Sequence, residues 1–324
     1  MLRVYMPGDW SDEALRGLKA GLEEDVELSA GAPRPDDYEM LVCGRPDREM
    51  LEAPSLRWYV VPWAGLPAST RELLADFPHL AVHNLHHNAP AAAELAVGLL
   101  LAAAKRIVLA DRKMRECDWT IRYSPENAML IGGSSILVVG MGEIGRRVAR
   151  TCRAMGAEVV GMARHVEAGE VREGIPVLPP EDLDGQLPGI DVLVLCVPLT
   201  EETRGMIDAR RLAAMPRRAV LVNVGRGGLV EEEALYEVLR DGRIGAAGID
   251  VWYSYPRSEG SRRNTRPSRF PFGELDNVVM SPHRGGAMNV SELELLRARK
   301  LAGLINAAAG GGQVPHRVDP ELGY

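Results

Sequence analysis

The sequence predicts an α/β protein made of two parallel-sheet units, each wound with helices on both faces. Three observations carry this. Short apolar runs alternate with helical stretches from residue 2 to about residue 85. A second series of apolar runs does the same from residue 136 to residue 281. Between the first strand and the first helix of that second series stand Gly140, Gly142 and Gly145, spaced as G-x-G-x-x-G.

In the first series, residues 2–6, 38–44, 56–62 and 80–85 read as strands, and 12–23 and 69–76 as helices. The segment Pro62-Trp63-Ala64-Gly65-Leu66-Pro67 lies just past the carboxyl end of a strand, where open parallel sheets bind ligands. The amides of Ala64 and Gly65 are candidates for holding a carboxylate; a plain turn is the competing reading. His83, His86 and His87 have no acid or cysteine nearby to complete a metal site, so no metal is expected and they read as linker residues near a cleft. Residues 91–113 read as one long helix bridging the two units. Its apolar core, Leu95 to Ala104, is about half a membrane span and is flanked by Glu94 and Lys105-Arg106, so a buried helix is expected. An irregular connection over 117–133 follows.

The second series opens with the strand ending at Val139. Gly140 suits the tight turn, Gly142 lets backbone approach a pyrophosphate, and Gly145 lets the helix over 144–155 pack closely. The next strand, 157–162, follows at the right distance, which points to a dinucleotide site. An acid that bonds a ribose 2′-hydroxyl usually stands near the end of that strand; here the place holds Ala163-Arg164-His165. An arginine there would pair with a 2′-phosphate, so NADP is the expected cofactor ahead of NAD, unless Arg164 is only a solvated loop residue. Later strands fall at 191–197, 219–224, 246–252 and 277–281, with helices at 208–214 and 231–241. A helix from Asn289 to about Ala309 ends at Gly310-Gly311-Gly312, and this C-terminal segment is expected to pack back on the first unit.

At 324 residues the chain is long enough for two domains. A net charge of −7 argues against nucleic acid as the main partner. Cys43, Cys117, Cys152 and Cys196 are scattered without a C-x-x-C pair, and the N-terminus lacks the form of a signal peptide, so a cytoplasmic location with free thiols is expected. No membrane association is expected.

Three strand ends carry candidate chemistry. Arg226 in Asn223-Val224-Gly225-Arg226-Gly227-Gly228 offers a planar fork for a carboxylate. Asp250 follows Gly248-Ile249, and His283 in Ser281-Pro282-His283-Arg284-Gly285-Gly286 is a side chain suited to moving a proton near neutral pH. Together with GMGEIGRRVA, Pro198-Leu199-Thr200 with Thr203, NVGRGGLVEEEAL, GRIGAAGIDVW, ELDNVVMSPHRGG and the closing Gly323-Tyr324, these make the chain resemble the D-isomer-specific 2-hydroxyacid dehydrogenase family over nearly its whole length.

The resemblance implies a Rossmann nucleotide-binding domain, residues 90–289, inserted in a flavodoxin-like substrate domain, residues 1–89 and 290–324, in a homodimer. It implies a small 2-oxo acid as substrate, glyoxylate- or hydroxypyruvate-like. Arg226 would hold the substrate carboxylate and His283 would give a proton to the carbonyl oxygen, with Trp63, Ala64 and Gly65 on the substrate side. The dinucleotide would meet Gly140, Gly142, Glu143, Ile144, Gly145, Arg164, Pro198, Thr203, Val224, Gly225, Asp250, His283 and Gly285, with Asp250 on the nicotinamide carboxamide.

Three departures stand out. Tyr255 occupies the place where the family has a Glu that orients the histidine; a phenol can hydrogen-bond but lends no charge, so His283 should have a lowered pKa. Glu259, four residues on, is a weaker candidate for that partner. Residues 257–269 carry five arginines and one acid, suggesting either a solvated loop or a contact with a second anionic group. The Pro62–Pro67 loop is poorer in glycine than the family's, so Trp63 is expected to shape the pocket. The competing reading is a dinucleotide-sensing protein of corepressor type with weak or no catalysis.

Overall fold

The computed structural model describes residues 1–8, 10–124, 128–286 and 290–320. Two compact units divide it, residues 1–88 with 287–324 and residues 89–286.

The first unit holds β1 (Leu2–Met6), α1 (Asp12–Ala20), β2 (Val26–Ala30), β3 (Met40–Val42), α2 (Arg48–Leu51), β4 (Trp58–Val61), α3 (Ala68–Leu74) and β5 (Ala81–Asn84). Its sheet is parallel throughout, in the order β2-β1-β3-β4-β5, the doubly wound arrangement of flavodoxin-like folds. α1 begins where it does because Ser11 caps it, its hydroxyl accepting from the Ala14 N–H, with Asp12 and Glu13 in the first turn and Lys19 in the last. Strand β2 was not expected from the sequence. It is a half-exposed edge strand paired only with β1, and its Val26 and Leu28 alternate with Glu27 and Ser29.

The second unit opens with α4 (Ala89–Ala104) and α5 (Ile107–Arg115). The single helix expected over 91–113 is thus two. Arg106 takes a left-handed conformation, φ 55°, between them. The cause is visible in burial: α4 buries alanines and leucines along its length, whereas none of the nine residues of α5 is buried, so packing holds only the first helix in line. α4 lies on one face of the second sheet, and Gly248 in that sheet admits it closely: a Cβ there would stand 2.9 Å from Leu99 Cβ. No helix among the described residues is long and apolar enough to cross a membrane.

The second sheet contains β6 (Ser135–Val139), β7 (Glu158–Met162), β8 (Val171–Arg172), β9 (Ile175–Leu178), β10 (Val192–Leu195), β11 (Val220–Asn223), β12 (Ala246–Ile249) and β13 (Val278–Met280). Between them run α6 (Glu143–Ala154), α7 (Leu183–Gln186), α8 (Ala209–Ala214) and α9 (Glu232–Arg240). The strand order is β13-β12-β11-β10-β6-β7-β9-β8, parallel except for β8. The chain reverses its winding between β6 and β10, the switch point at which Rossmann sheets bind dinucleotides. The inner strands are fully buried, with apolar cores on both faces.

α10 (Ser291–Ala309) returns to the first unit and packs on α1, burying Leu301, Leu304 and Ile305 in a core shared with Val4, Met6 and Val60. The closing Gly323 and Tyr324, and Asn289, lie outside the described residues.

Candidate active site

The candidate residues of the second unit stand at the carboxyl ends of adjacent parallel strands. Gly140 follows β6, Arg164 follows β7, Pro198 follows β10, Arg226 follows β11, Asp250 follows β12 and His283 follows β13. A parallel sheet directs all these loops to one edge, so residues far apart in sequence share it.

The glycine loop fits a dinucleotide. Gly140 has φ 101° and is pressed against the Cys196 backbone, so it needs the freedom of glycine. A Cβ on Gly145 would lie 1.8 Å from the Gly140 carbonyl oxygen; its absence lets α6 start directly against β6. A Cβ on Gly142 would meet nothing within 4 Å, so the backbone there faces open space at a helix N-terminus, where phosphate oxygens are well placed. Ile144, in the first turn of α6, packs its side chain on the core. The side chain of Glu143 does not join the cradle: Arg146 and Arg147 both donate to its carboxylate, the latter at 2.7 Å, and hold its pKa below the usual carboxylate value against the opposing effect of burial. Arg164 is exposed two residues past the end of β7, beside His165 at φ 53°.

Several expected ligand residues spend their polar atoms on the protein. Thr203 Oγ1 donates to the Pro198 carbonyl at 2.7 Å and accepts from the Thr200 N–H at 2.8 Å, so it folds the Pro198 loop. Val224 is buried. A Cβ on Gly225 would stand 2.6 Å from the Val197 carbonyl oxygen, so this glycine is required for the close approach of two loops. Asp250 is likewise engaged by the protein. It is 1% exposed, and its carboxylate accepts from Ser281 Oγ, from the Arg284 N–H at 2.7 Å and from the Gly285 N–H at 2.8 Å. The N–H of Gly285 is thereby committed as well. Asp250 is an anchor for the 281–285 loop, and within that loop His283 has φ 58°.

Arg226 is exposed, and its Nη1 donates to the Gly225 carbonyl at 2.7 Å. Asn223, buried beneath it, ties the loop at both ends: its Nδ2 donates to the Arg226 carbonyl and its Oδ1 accepts from the Gly225 N–H. The ring of His283 lies against that of Tyr255, with centroids 5.4 Å apart and planes tilted by 55°. The residue is otherwise exposed. Its partial burial, and then the charge of Arg226, hold its pKa below the usual imidazole value; Asp250 opposes them. Tyr255 replaces the missing carboxylate with a ring contact, because its hydroxyl accepts from the Trp252 N–H at 2.9 Å. Burial, its largest influence, raises the phenol's pKa. Glu259 does not serve in its place; it pairs with Arg262 at 2.8 Å in the exposed loop.

Sequence reasoning missed Asn223, Ser281 and Trp252 as supports. Trp252 joins two of the loops, its indole N–H donating to the Ser281 carbonyl at 2.8 Å while its backbone N–H holds Tyr255. Asn223 and Ser281 sit inside the quoted motifs, so their position was the available clue.

In the first unit, the 62–67 loop follows β4. The Trp63 indole lies across Gly44, where a Cβ would stand 1.7 Å from its ring. Asn84 Nδ2 donates to the Ala64 carbonyl at 2.7 Å, and among the described residues no acceptor takes the N–H of Ala64 or Gly65. The histidines turn to the C-terminal segment: His83 Nδ1 meets the Pro315 carbonyl at 2.8 Å and His86 packs on His316. His87 is buried with Nδ1 unpartnered, and burial, then Arg297 and His86, push its pKa down to about 4. Among the described residues no group of three potential ligands gathers as a metal site, and the four cysteines are unpaired.

A sheet wound to a switch point at a glycine-rich cradle, with an arginine and a histidine at the ends of β11 and β13 on either side of β12, defines a nicotinamide-dinucleotide oxidoreductase fold. Comparison with known proteins gives the family. Residues 97–285 match the model described as "D-isomer specific 2-hydroxyacid dehydrogenase, NAD binding domain". The glyoxylate reductase of Korarchaeum cryptofilum is 36% identical over 333 aligned residues, covering 97% of this chain and 89% of that protein. The chain therefore belongs to the D-isomer specific 2-hydroxyacid dehydrogenase family. The D-3-phosphoglycerate dehydrogenase of Methanocaldococcus jannaschii is 34% identical over 66% of this chain; the chain spans 37% of that relative's length. Among solved structures, a D-isomer specific 2-hydroxyacid dehydrogenase from Xanthobacter autotrophicus Py2, in complex with NADPH and MES, superposes with a TM-score of 0.79 at 26% identity, covering 100% of this chain and 99% of that one.

Proposed function

We propose that the protein reduces a small 2-oxo acid, glyoxylate- or hydroxypyruvate-like, to the D-2-hydroxy acid, with NADPH preferred to NADH. The observation that carries this is the pairing of Arg226 and His283 on loops that Asn223 and Asp250 anchor at one sheet edge. Arg226 holds the substrate carboxylate with its planar fork. His283 hydrogen-bonds the carbonyl oxygen and passes its proton there, so that the C=O bond becomes C–OH. The bound dinucleotide supplies the hydride that carbon 2 receives. Tyr255 supports the imidazole ring without charge, which leaves proton supply to be governed by the lowered pKa of His283.

On the cofactor side, the amides at Gly142, Glu143, Ile144 and Gly145 would hold the pyrophosphate, Arg164 would meet the 2′-phosphate, and Pro198, Val224 and Gly225 would line the ring and ribose. The NADPH in the Xanthobacter relative's structure supports the choice of NADPH. In this reading the first unit, residues 1–89 and 290–324, serves the substrate through the free amides of Ala64 and Gly65 and the Trp63 indole, and residues 90–289 serve the dinucleotide. A homodimer is proposed as well. Ile107, Val108, Met114, Trp119 and Tyr123 are exposed on and beyond α5, an apolar area that a second copy would cover. Four unpaired cysteines fit a reducing cytoplasm.

The test is purified protein with NADPH or NADH and a panel of 2-oxo acids. Turnover of a small 2-oxo acid, faster with NADPH and giving the D-product, supports the reading. Tight NADPH binding with no turnover of any acid would instead indicate a dinucleotide sensor.

A further inference from the structure

Residues 254–267 form a loop closed at its neck, where the N–H groups of Tyr253 and Ser254 both donate to the Pro267 carbonyl, at 3.1 and 3.0 Å. The interior is braced. Ser258 and Ser261 cap each other reciprocally, and Thr265 Oγ1 donates to the Ser261 carbonyl at 2.8 Å. Just beyond the neck, Ser268 Oγ and the Arg269 N–H both donate to Glu232. The side chains on this loop therefore project from a fixed frame.

Five arginines lie over residues 257–269, and the structure sorts them. Arg262 pairs with Glu259, and Arg269 with Glu232 and Glu233. Arg257 and Arg266 have no carboxylate within ion-pair distance among the described residues, yet both line one open cavity of about 640 Å³. Arg263 is exposed and is not among the residues that line it. The same cavity is lined by Tyr253 and Tyr255. Tyr255 is the wall it shares with the candidate active site, since its ring packs on His283. Two uncompensated guanidinium groups beside one cavity make a positive field that favours an anion, and a guanidinium fork matches phosphate or carboxylate oxygens in pairs.

We propose that this cavity receives a second anionic group, phosphate foremost, carried at the far end of a 2-oxo or 2-hydroxy acid whose reacting carbon lies at His283. The proposal rests on the assignment of Arg226 and His283 to the reacting end. Arg262 is committed to Glu259, whereas Arg257 and Arg266 line the cavity.

The experiment compares oxidation of D-3-phosphoglycerate and D-glycerate by the full-length protein with NADP, two acids that differ only in the phosphate. Arg257→Gln, Arg266→Gln and the double variant are set beside Arg262→Gln as control; all three arginines are exposed, so the fold should be kept. The wild type should favour the phosphorylated acid in kcat/KM. Each substitution at 257 or 266 should lower that preference roughly tenfold, the loss of one charge-assisted contact, with D-glycerate and the Arg262 control changing less than about twofold. An unchanged preference in the double variant overturns the proposal. Calorimetry with inorganic phosphate, in the presence of saturating NADPH, reads the cavity without turnover. Phosphate binding that weakens in the double variant supports the anion site even if no acid is turned over, an outcome that would fault the assignment of the reacting end instead. Equal binding by wild type and double variant overturns it.

Discussion

Asp250→Asn tests how the proton-donating loop is held. The carboxylate is buried and accepts three donors: Ser281 Oγ, the Arg284 N–H and the Gly285 N–H. Bonds to a charged acceptor contribute about 1.5–3 kcal/mol each. They share one side chain and do not add, so the sum is an upper bound. Against them stands the left-handed conformation of His283, which costs roughly 1–2 kcal/mol and is sustained by these anchors. The amide keeps one acceptor oxygen and turns an NH₂ group toward donors. We expect a loss of roughly 3 kcal/mol, read as a fall in Tm of about 10 °C. Activity should fall further than stability: misplacing His283 should lower kcat/KM for 2-oxo acid reduction by about a hundredfold. The pKa read from the pH profile should also drop, because Asp250 opposes the two influences that lower it. Differential scanning calorimetry and steady-state kinetics on the same preparation give all three. A variant with wild-type Tm and kcat/KM within about twofold would refute the reasoning.

Reduction requires protonated His283, and its pKa lies below the usual imidazole value, so kcat/KM for reduction should decline as pH rises from mildly acidic values; a profile flat to pH 8 would contradict this. Gly145→Ala places a Cβ 1.8 Å from the Gly140 carbonyl oxygen, so α6 must shift; fluorescence titration should show loss of NADPH binding, and binding equal to wild type would count against the cradle. Arg164→Asp should move the NADPH:NADH preference toward NADH by roughly tenfold or more, measured as a ratio of kcat/KM values; an unmoved ratio removes Arg164 from the site. His87 has a folded-state pKa of about 4, below its unfolded value, so its contribution is present above about pH 6.5 and is lost as pH falls toward 4. His87→Leu should therefore flatten the acid side of the Tm–pH curve between those values, and an unchanged acid limb would dismiss His87 as its source.

The strands of the second sheet were legible because β6, β10 and β11 are buried on both faces and read as unbroken apolar runs. The glycine spacing likewise marked a cradle whose close approaches the structure shows at Gly140 and Gly145. What the sequence hid depends on neighbours far along the chain. Strand β2 and the short pair β8 and β9 lie toward sheet edges and carry mixed polarity, so no local pattern announces them. The break at Arg106 falls within good helix formers and is set by where burial stops. The donors to Asp250 come from more than thirty residues away, so a local reading could not foresee its hold on the 281–285 loop. The arginines of 257–269 look alike in sequence; only their partners separate Arg257 and Arg266 from Arg262 and Arg269.

The most direct test of the central claim is a pair of kinetic measurements on Arg226→Lys and His283→Ala with NADPH and the best 2-oxo acid of the panel. The account predicts a raised KM as the main effect at Arg226, where a fork becomes a point charge. At His283 it predicts a kcat lowered by about 10²–10⁴-fold with NADPH affinity little changed. Wild-type kcat in the His283 variant would contradict it.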